Sequence, residues 1–215
     1  MNGVYFGNIH SYDDLNLILA PFVPVPAEPQ TNFLQIPGRN GLLDLTEANG
    51  EVKFNSREFV FTFTVAPGDT LTFDERVSVV SNALNGLRCK ITIERDPDYY
   101  WEGRCAVSEY DQDKNIGQIV VSATVDPYKL KQNATVVSIV LSAEEQTVVL
   151  ANSRMTVVPI IECTDDDTVV VFGDYSCTLD EGIHKVNAIR FVEGENVLKA
   201  SGSGEITITY QEGAL

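Results

Sequence analysis

Between Arg57 and Val65 the chain reads Arg-Glu-Phe-Val-Phe-Thr-Phe-Thr-Val, which puts Phe59, Phe61, Phe63 and Val65 on one face at a period of two. That alternation predicts a strand laid over an apolar core. The period then changes. Thr72-Phe73-Asp74-Glu75 has capping-box spacing, and Val77, Val80, Leu84 and Leu87 follow at helical intervals until Gly86 interrupts the regular pattern. One short amphipathic helix is expected there. Alternation returns at Cys89, Ile91 and Ile93, and Arg95-Asp96-Pro97-Asp98 supplies turn chemistry before the aromatic run Tyr99-Tyr100-Trp101. A hairpin with an aromatic tip is predicted, followed by strands over 103–110 and 117–125 with a polar stretch between them.

The strand pattern stops at Asp126-Pro127-Tyr128-Lys129, and beyond Lys131 the composition turns helix-free. Two domains are therefore expected, 1–131 and 132–215. Short β-branched runs fill the second: 136–141, 147–150, 155–158, 169–172, 189–192, 196–199 and 205–210, with turn residues at the intervals of an all-β sandwich. The predicted fold is mainly β with one short helix, an α+β first domain followed by an all-β sandwich. Upstream, Pro21, Pro24, Pro26 and Pro29 fall close together, which favours an extended polyproline-like arm able to reach a neighbouring subunit. The alternative is a surface loop joining two strands.

Composition narrows the function. With 44% hydrophobic and 21% charged residues, the 215-residue chain can bury a real core. Its 15 Lys+Arg against 31 Asp+Glu give a net charge of −16, which repels a phosphate backbone and argues against gripping nucleic acid. The opening residues lack signal-peptide features, and no apolar stretch reaches the roughly 18 residues of a membrane helix, so a soluble chain made in the cytoplasm is expected. Cys89, Cys105, Cys163 and Cys177 lack C-x-x-C spacing and read as small buried hydrophobes. A Cys89–Cys105 disulfide across the hairpin is the alternative.

Catalytic chemistry finds no anchor. His10 and His184 lie in different predicted domains, and no serine sits in a G-x-S-x-G or S-x-x-K setting. Asp111-x-Asp113-x-Asn115 imitates the start of a calcium loop, but the sharp-turn position holds Ile116 and the bidentate-Glu position holds Ser122. Asp165-Asp166-Asp167 reads as an exposed loop. No enzyme, cofactor or metal is expected.

Several motifs, taken in order, resemble the distal tail protein family of long-tailed bacteriophages. They are Val4-Tyr5-Phe6-Gly7-Asn8-Ile9-His10-Ser11-Tyr12-Asp13-Asp14-Leu15, the proline-rich arm, and the glycine-punctuated Ile36-Pro37-Gly38-Arg39-Asn40-Gly41-Leu42-Leu43-Asp44-Leu45-Thr46. Arg57 with its alternating phenylalanines, Asp98-Tyr99-Tyr100-Trp101-Glu102-Gly103-Arg104 and Asp126-Pro127-Tyr128-Lys129 continue the series. In the second half, Val157-Val158-Pro159-Ile160-Ile161 and the ending through Gly202-Ser203-Gly204-Glu205-Ile206-Thr207-Ile208-Thr209-Tyr210 look like that family's galectin-like or carbohydrate-module-like sandwich.

The resemblance implies a structural virion protein at the tail tip, forming a homohexameric ring through its first domain, with DNA passing through the lumen unbound. The implied partners are the tail tube protein, a tail-associated hub or spike protein, and receptor-binding or other baseplate proteins; no membrane is involved. Pro24 and Pro26 of the arm, Arg39 of the glycine motif, and Tyr99, Tyr100 and Trp101 of the hairpin are the candidate contact residues, because prolines and aromatics at fixed turns lose little freedom on binding. The alternative reading is a carbohydrate-binding sandwich that attaches to surface glycans.

Overall fold

The computed structural model describes residues 3–48, 50–113 and 116–215. The chain forms two compact units, Met1–Lys129 and Leu130–Leu215. The described residues are mainly β with a single α-helix.

The first unit contains β1 (Val4–Phe6), β2 (Ile9–His10), β3 (Leu17–Leu19), β4 (Phe33–Gln35), β5 (Leu42–Asp44), β6 (Arg57–Val65), α1 (Phe73–Leu84), β7 (Arg88–Ile93), β8 (Tyr99–Asp113) and β9 (Ile116–Val125). One antiparallel sheet runs in the order β2-β1-β7-β8-β9-β6-β3. Strand β6 pairs with β9 from Arg57↔Val125 to Thr64↔Gln118. Its period-two pattern acts as expected: Phe59, Phe61 and Phe63 are fully buried, while Glu58 and Val60 face out. Burial of each ring contributes about 1.5–3 kcal/mol. The rings pack edge to face, Phe59 on Phe61 at 6.0 Å and Phe6 on Phe61 at 5.6 Å between centroids.

Helix α1 starts where its sequence signals it. The Thr72 hydroxyl accepts from Glu75 N, and the Glu75 carboxylate accepts in return from Thr72 N at 2.9 Å. Val80 and Leu84 of its apolar stripe enter the core. Ahead of the helix, Asp69 accepts from Arg76 Nε and Nη2, each at 2.6 Å, and both side chains are largely buried.

Strand β8 departs from the predicted hairpin tip. The turn closes at Arg95–Asp98, and a single strand then runs from Tyr99 to Asp113 through Gly103, with a bulge between Val107 and Glu109. Gly103 is required there: a Cβ would lie 2.6 Å from Val125 Cγ1 and 2.7 Å from the Thr124 carbonyl oxygen. This register sets Cys89 opposite Gly103 and diagonal to Cys105, whose thiol still lies within hydrogen-bonding reach of the Cys89 thiol; all four cysteines are free thiols.

The second unit contains β11 (Thr135–Val140), β12 (Gln146–Asn152), β13 (Ile160–Cys163), β14 (Thr168–Phe172), β15 (Tyr175–Leu179), β16 (Gly182–His184), β17 (Gly194–Ser201) and β18 (Glu205–Tyr210), preceded by the short β10 (Lys129–Lys131) and followed by β19 (Gly213–Ala214). Sheets β11-β18-β13-β16 and β12-β17-β14-β15 enclose one core that includes Ile161, Ile208, Phe191, Leu198 and Leu150. Two runs expected as strands, 155–158 and 189–192, are not. They share only the bridge Val157↔Phe191. Pro159 has no N–H to donate, so the strand begins after it, at Ile160. Buried amides take over the backbone's needs: Asn152 Nδ2 donates to Met155 O and Phe191 O, and Asn196 Nδ2 donates to Val192 O.

Glu212 closes this unit. Its nearly buried carboxylate accepts from Lys131 Nζ, Thr135 Oγ1 and Ser153 Oγ, tying together three separate stretches of chain. Burial pushes its pKa up, but these hydrogen bonds outweigh that and hold it below the ordinary value.

Candidate functional site

Among the described residues no three His, Cys, Asp or Glu side chains converge in a way that could hold a metal ion. Asn115 of the calcium-like stretch lies outside the described residues. In the Asp165–Asp167 loop, the Asp166 carboxylate accepts from Glu181 N at 2.9 Å, which is a turn contact. His10 stacks on Tyr5 at 4.5 Å, and its Nδ1 lies 2.8 Å from Asp13. His184 Nε2 lies 2.7 Å from Asp180 O. His10 Nε2 also lies 3.4 Å from Glu94, and each histidine is engaged within its own unit.

The unusual surface lies between β3 and β6. From Pro29 to Phe54 the chain leaves the sheet and pairs with itself: Pro29 bridges Phe54, Gln30 N donates to Lys53 O, and β4 pairs with β5 from Phe33↔Asp44 to Gln35↔Leu42. The glycine-punctuated motif forms its tip, where Gly38 and Gly41 take φ of 80° and 78°. Apolar side chains on this ribbon stay in solvent: Phe33 is 52% exposed, Leu34 50% and Leu42 55%. Phe33 and Leu34 are consecutive and point to opposite faces, so neither face of the ribbon is covered. An isolated two-stranded hairpin is marginal in water, and exposed apolar clusters of this kind mark contact surfaces.

The proline arm leads into this ribbon. Phe22 packs on Phe61 at 4.4 Å and on Phe59 at 5.4 Å, and Val25 O accepts from Arg57 Nη1 at 3.3 Å. Between these anchors Val23 and Val25 are exposed.

Of the predicted contact residues, Pro26 and Arg39 are exposed and Pro24 is half-buried, all on the arm and ribbon. The aromatic run lies elsewhere. Trp101 is only 3% exposed, with its ring 5.2 Å from Phe59, and Tyr100 is buried beneath Lys90 Nζ at 4.2 Å. Tyr99 is half-buried under Lys129 Nζ. An exposed aromatic tip was expected. Because β8 begins at Tyr99, the pleat turns Trp101 inward, and Tyr100 is covered from the other side. On the sandwich, Phe191 and Tyr210 are likewise buried and offer no platform for a sugar ring, Phe172 is half-buried, and Tyr175 is exposed.

The periodicity of 33–44 could have pointed to the ribbon, had the glycines at 38 and 41 been read as a turn between two short strands.

No family model matches the chain, and no curated relative does either. Among solved structures, the chain is similar in fold to the SPP1 Dit protein (gp 19.1), described as a paradigm of the hub adsorption apparatus in phages infecting Gram-positive bacteria. The TM-score is 0.72 at 13% identity, covering 98% of this chain and 99% of that one. The phage P2 baseplate in its activated conformation with Ca matches at a TM-score of 0.37 and 6% identity, too distant to show a shared fold.

Proposed function

We propose that this chain is a structural component of a phage tail tip, whose first unit assembles with further copies of itself into a hexameric ring and whose sandwich serves as a docking platform. The observation that carries this reading is the likeness of fold to the SPP1 Dit hub protein across both units. The exposed β4–β5 ribbon supports it, because Phe33, Leu34 and Leu42 need a neighbour to cover them and closed rings supply one symmetrically. Pro24, Pro26 and Arg39 would contribute to that contact. The tail tube protein would sit on one side, with a hub or spike protein and receptor-binding proteins on the other. A net charge of −16 suits a lumen through which DNA slides without sticking.

Size-exclusion chromatography with light scattering, followed by negative-stain imaging, tests the ring. Concentration-dependent assembly into rings is expected, and the double substitution Phe33→Ser with Leu42→Ser should abolish it while leaving the circular dichroism spectrum unchanged. Rings that form equally well from the double variant would remove the ribbon from the interface. A strict monomer at every concentration, with or without the neighbouring tail proteins, would overturn the reading.

A further inference from the structure

Arg57 opens β6 on the same face as Phe59, Phe61 and Phe63, and its side chain follows theirs inward, leaving the residue 6% exposed. Apart from the Nη1 contact to Val25 O, its donors meet no acceptor among the described residues: Nε and Nη2 are buried without a hydrogen-bond partner there. Trp101 Nε1 is in the same condition. Both side chains flank Phe59, one two residues before it on the strand and the other ring to ring at 5.2 Å. Native interiors rarely leave such groups unpaired, and a buried guanidinium without an acceptor is among the costliest cases.

The chain itself shows what that edge of an arginine takes. Arg76 uses the same two atoms, Nε and Nη2, to hold both oxygens of Asp69 at 2.6 Å. These parallel N–H groups match the spacing of a carboxylate. Arg57 presents an equivalent edge, and the indole that carries the other unpaired N–H packs on Phe59, its neighbour on the same face of β6. The arm segment that touches the same guanidinium at Nη1 has few attachments: Phe22 and Val25 O make the contacts, and the Val23–Val25 stretch carries exposed apolar side chains and no strand pairing. Such stretches open locally at low cost.

We propose that Arg57 and Trp101 form a receptor for a carboxylate, reached when the arm lifts, and that an Asp or Glu side chain of a second copy of this chain fills it. The choice of source rests on the self-assembly proposed above. Copies carrying 31 acidic and 15 basic residues repel one another, and a guanidinium that receives an acid turns one of those repulsions into an attachment.

Trp101 is the only tryptophan in the chain, so its emission reports the site directly. The full-length protein would be titrated with acetate against chloride at constant ionic strength, and its self-association followed by sedimentation over a concentration series. Arg57→Met is the main variant, because it removes the donors and retains the apolar stem. Trp101→Phe tests the indole donor by sedimentation. Wild-type emission is expected to shift saturably with acetate, and acetate should weaken association. Arg57→Met should lose the acetate response and weaken association by about tenfold or more, the worth of a charge-assisted hydrogen bond. The same variant should unfold at an equal or higher urea concentration as a monomer, because an unpaired buried charge is gone.

If Arg57→Met instead destabilises the monomer and leaves the acetate response unchanged, Arg57 is a structural group satisfied by hydration, and the receptor is overturned. Rings that assemble as strongly from Arg57→Met leave the proposed function standing and overturn the second-copy receptor. A monomer that never associates but retains an Arg57-dependent acetate response keeps the receptor and overturns the second copy as its source.

Discussion

Replacing Glu212 with glutamine tests whether the second unit is closed by a charge or only by a shape. In the native chain this carboxylate accepts from Lys131 Nζ, from Thr135 Oγ1 at 2.6 Å and from Ser153 Oγ at 2.9 Å. Hydrogen bonds to a charged group contribute about 1.5–3 kcal/mol each. Lys131 is partly exposed and can return to water, so its share is discounted. Glutamine retains the size and one acceptor oxygen but loses the charge, and a net loss of about 2 kcal/mol follows. At a urea dependence of roughly 1–3 kcal/mol/M, the midpoint followed by far-ultraviolet circular dichroism at pH 7 should fall by about 1 M. The pH dependence supplies a second check. Because the folded pKa lies below the ordinary value, Glu212 contributes fully above the ordinary carboxylate range, and the contribution is lost as pH falls through the folded pKa. Wild type and Glu212→Gln should therefore converge in acid. An unchanged midpoint at pH 7, or a gap that persists undiminished into strong acid, would refute the reasoning.

Three further outcomes are expected. Gly103→Ala drives a Cβ against Val125 and the Thr124 carbonyl, and overpacking of this kind should cost about 1–3 kcal/mol, read from Trp101 emission in urea. Thr72→Ala removes the cap of α1 and should lower stability by about 1 kcal/mol, with faster amide exchange confined to the first helical turn. Asp69→Asn leaves the largely buried Arg76 without its counter-charge and should cost about 3–5 kcal/mol. The hydrogen bonds from Arg76 hold the Asp69 carboxyl well below the usual carboxylate range, so wild type retains this contribution until strongly acidic pH, where the difference from the variant closes.

Periodicity was legible wherever a buried face runs long. Nine residues of alternation at 57–65 and the capping box at Thr72 to Glu75 correspond residue for residue to β6 and the start of α1. It misled where a β-branched run adjoins a proline or an asparagine. Met155 to Val158 has strand composition, but Pro159 and the Asn152 and Asn196 amides satisfy its surroundings in irregular form. Strand β15 carries little sequence signal, because Tyr175-Ser176-Cys177-Thr178 alternates weakly and is held by its pairing with β14, a tertiary effect. The turn before Trp101 suggests a tip; only the start of β8 decides which way its ring faces. Arg57 was legible in principle, since the count that buries the three phenylalanines buries it too.

Arg39 stands at the tip of the β4–β5 ribbon, exposed and followed closely by a glycine in left-handed conformation. Such a tip is a preferred site of proteolytic nicking. If the ribbon is covered on assembly, a trypsin-like protease meets two populations: free chains that it cuts after Arg39 and assembled chains that it spares. Surplus subunits would then be short-lived and incorporated ones long-lived, so the same hairpin that offers an interface would set the lifetime of each copy by whether it has found its neighbour.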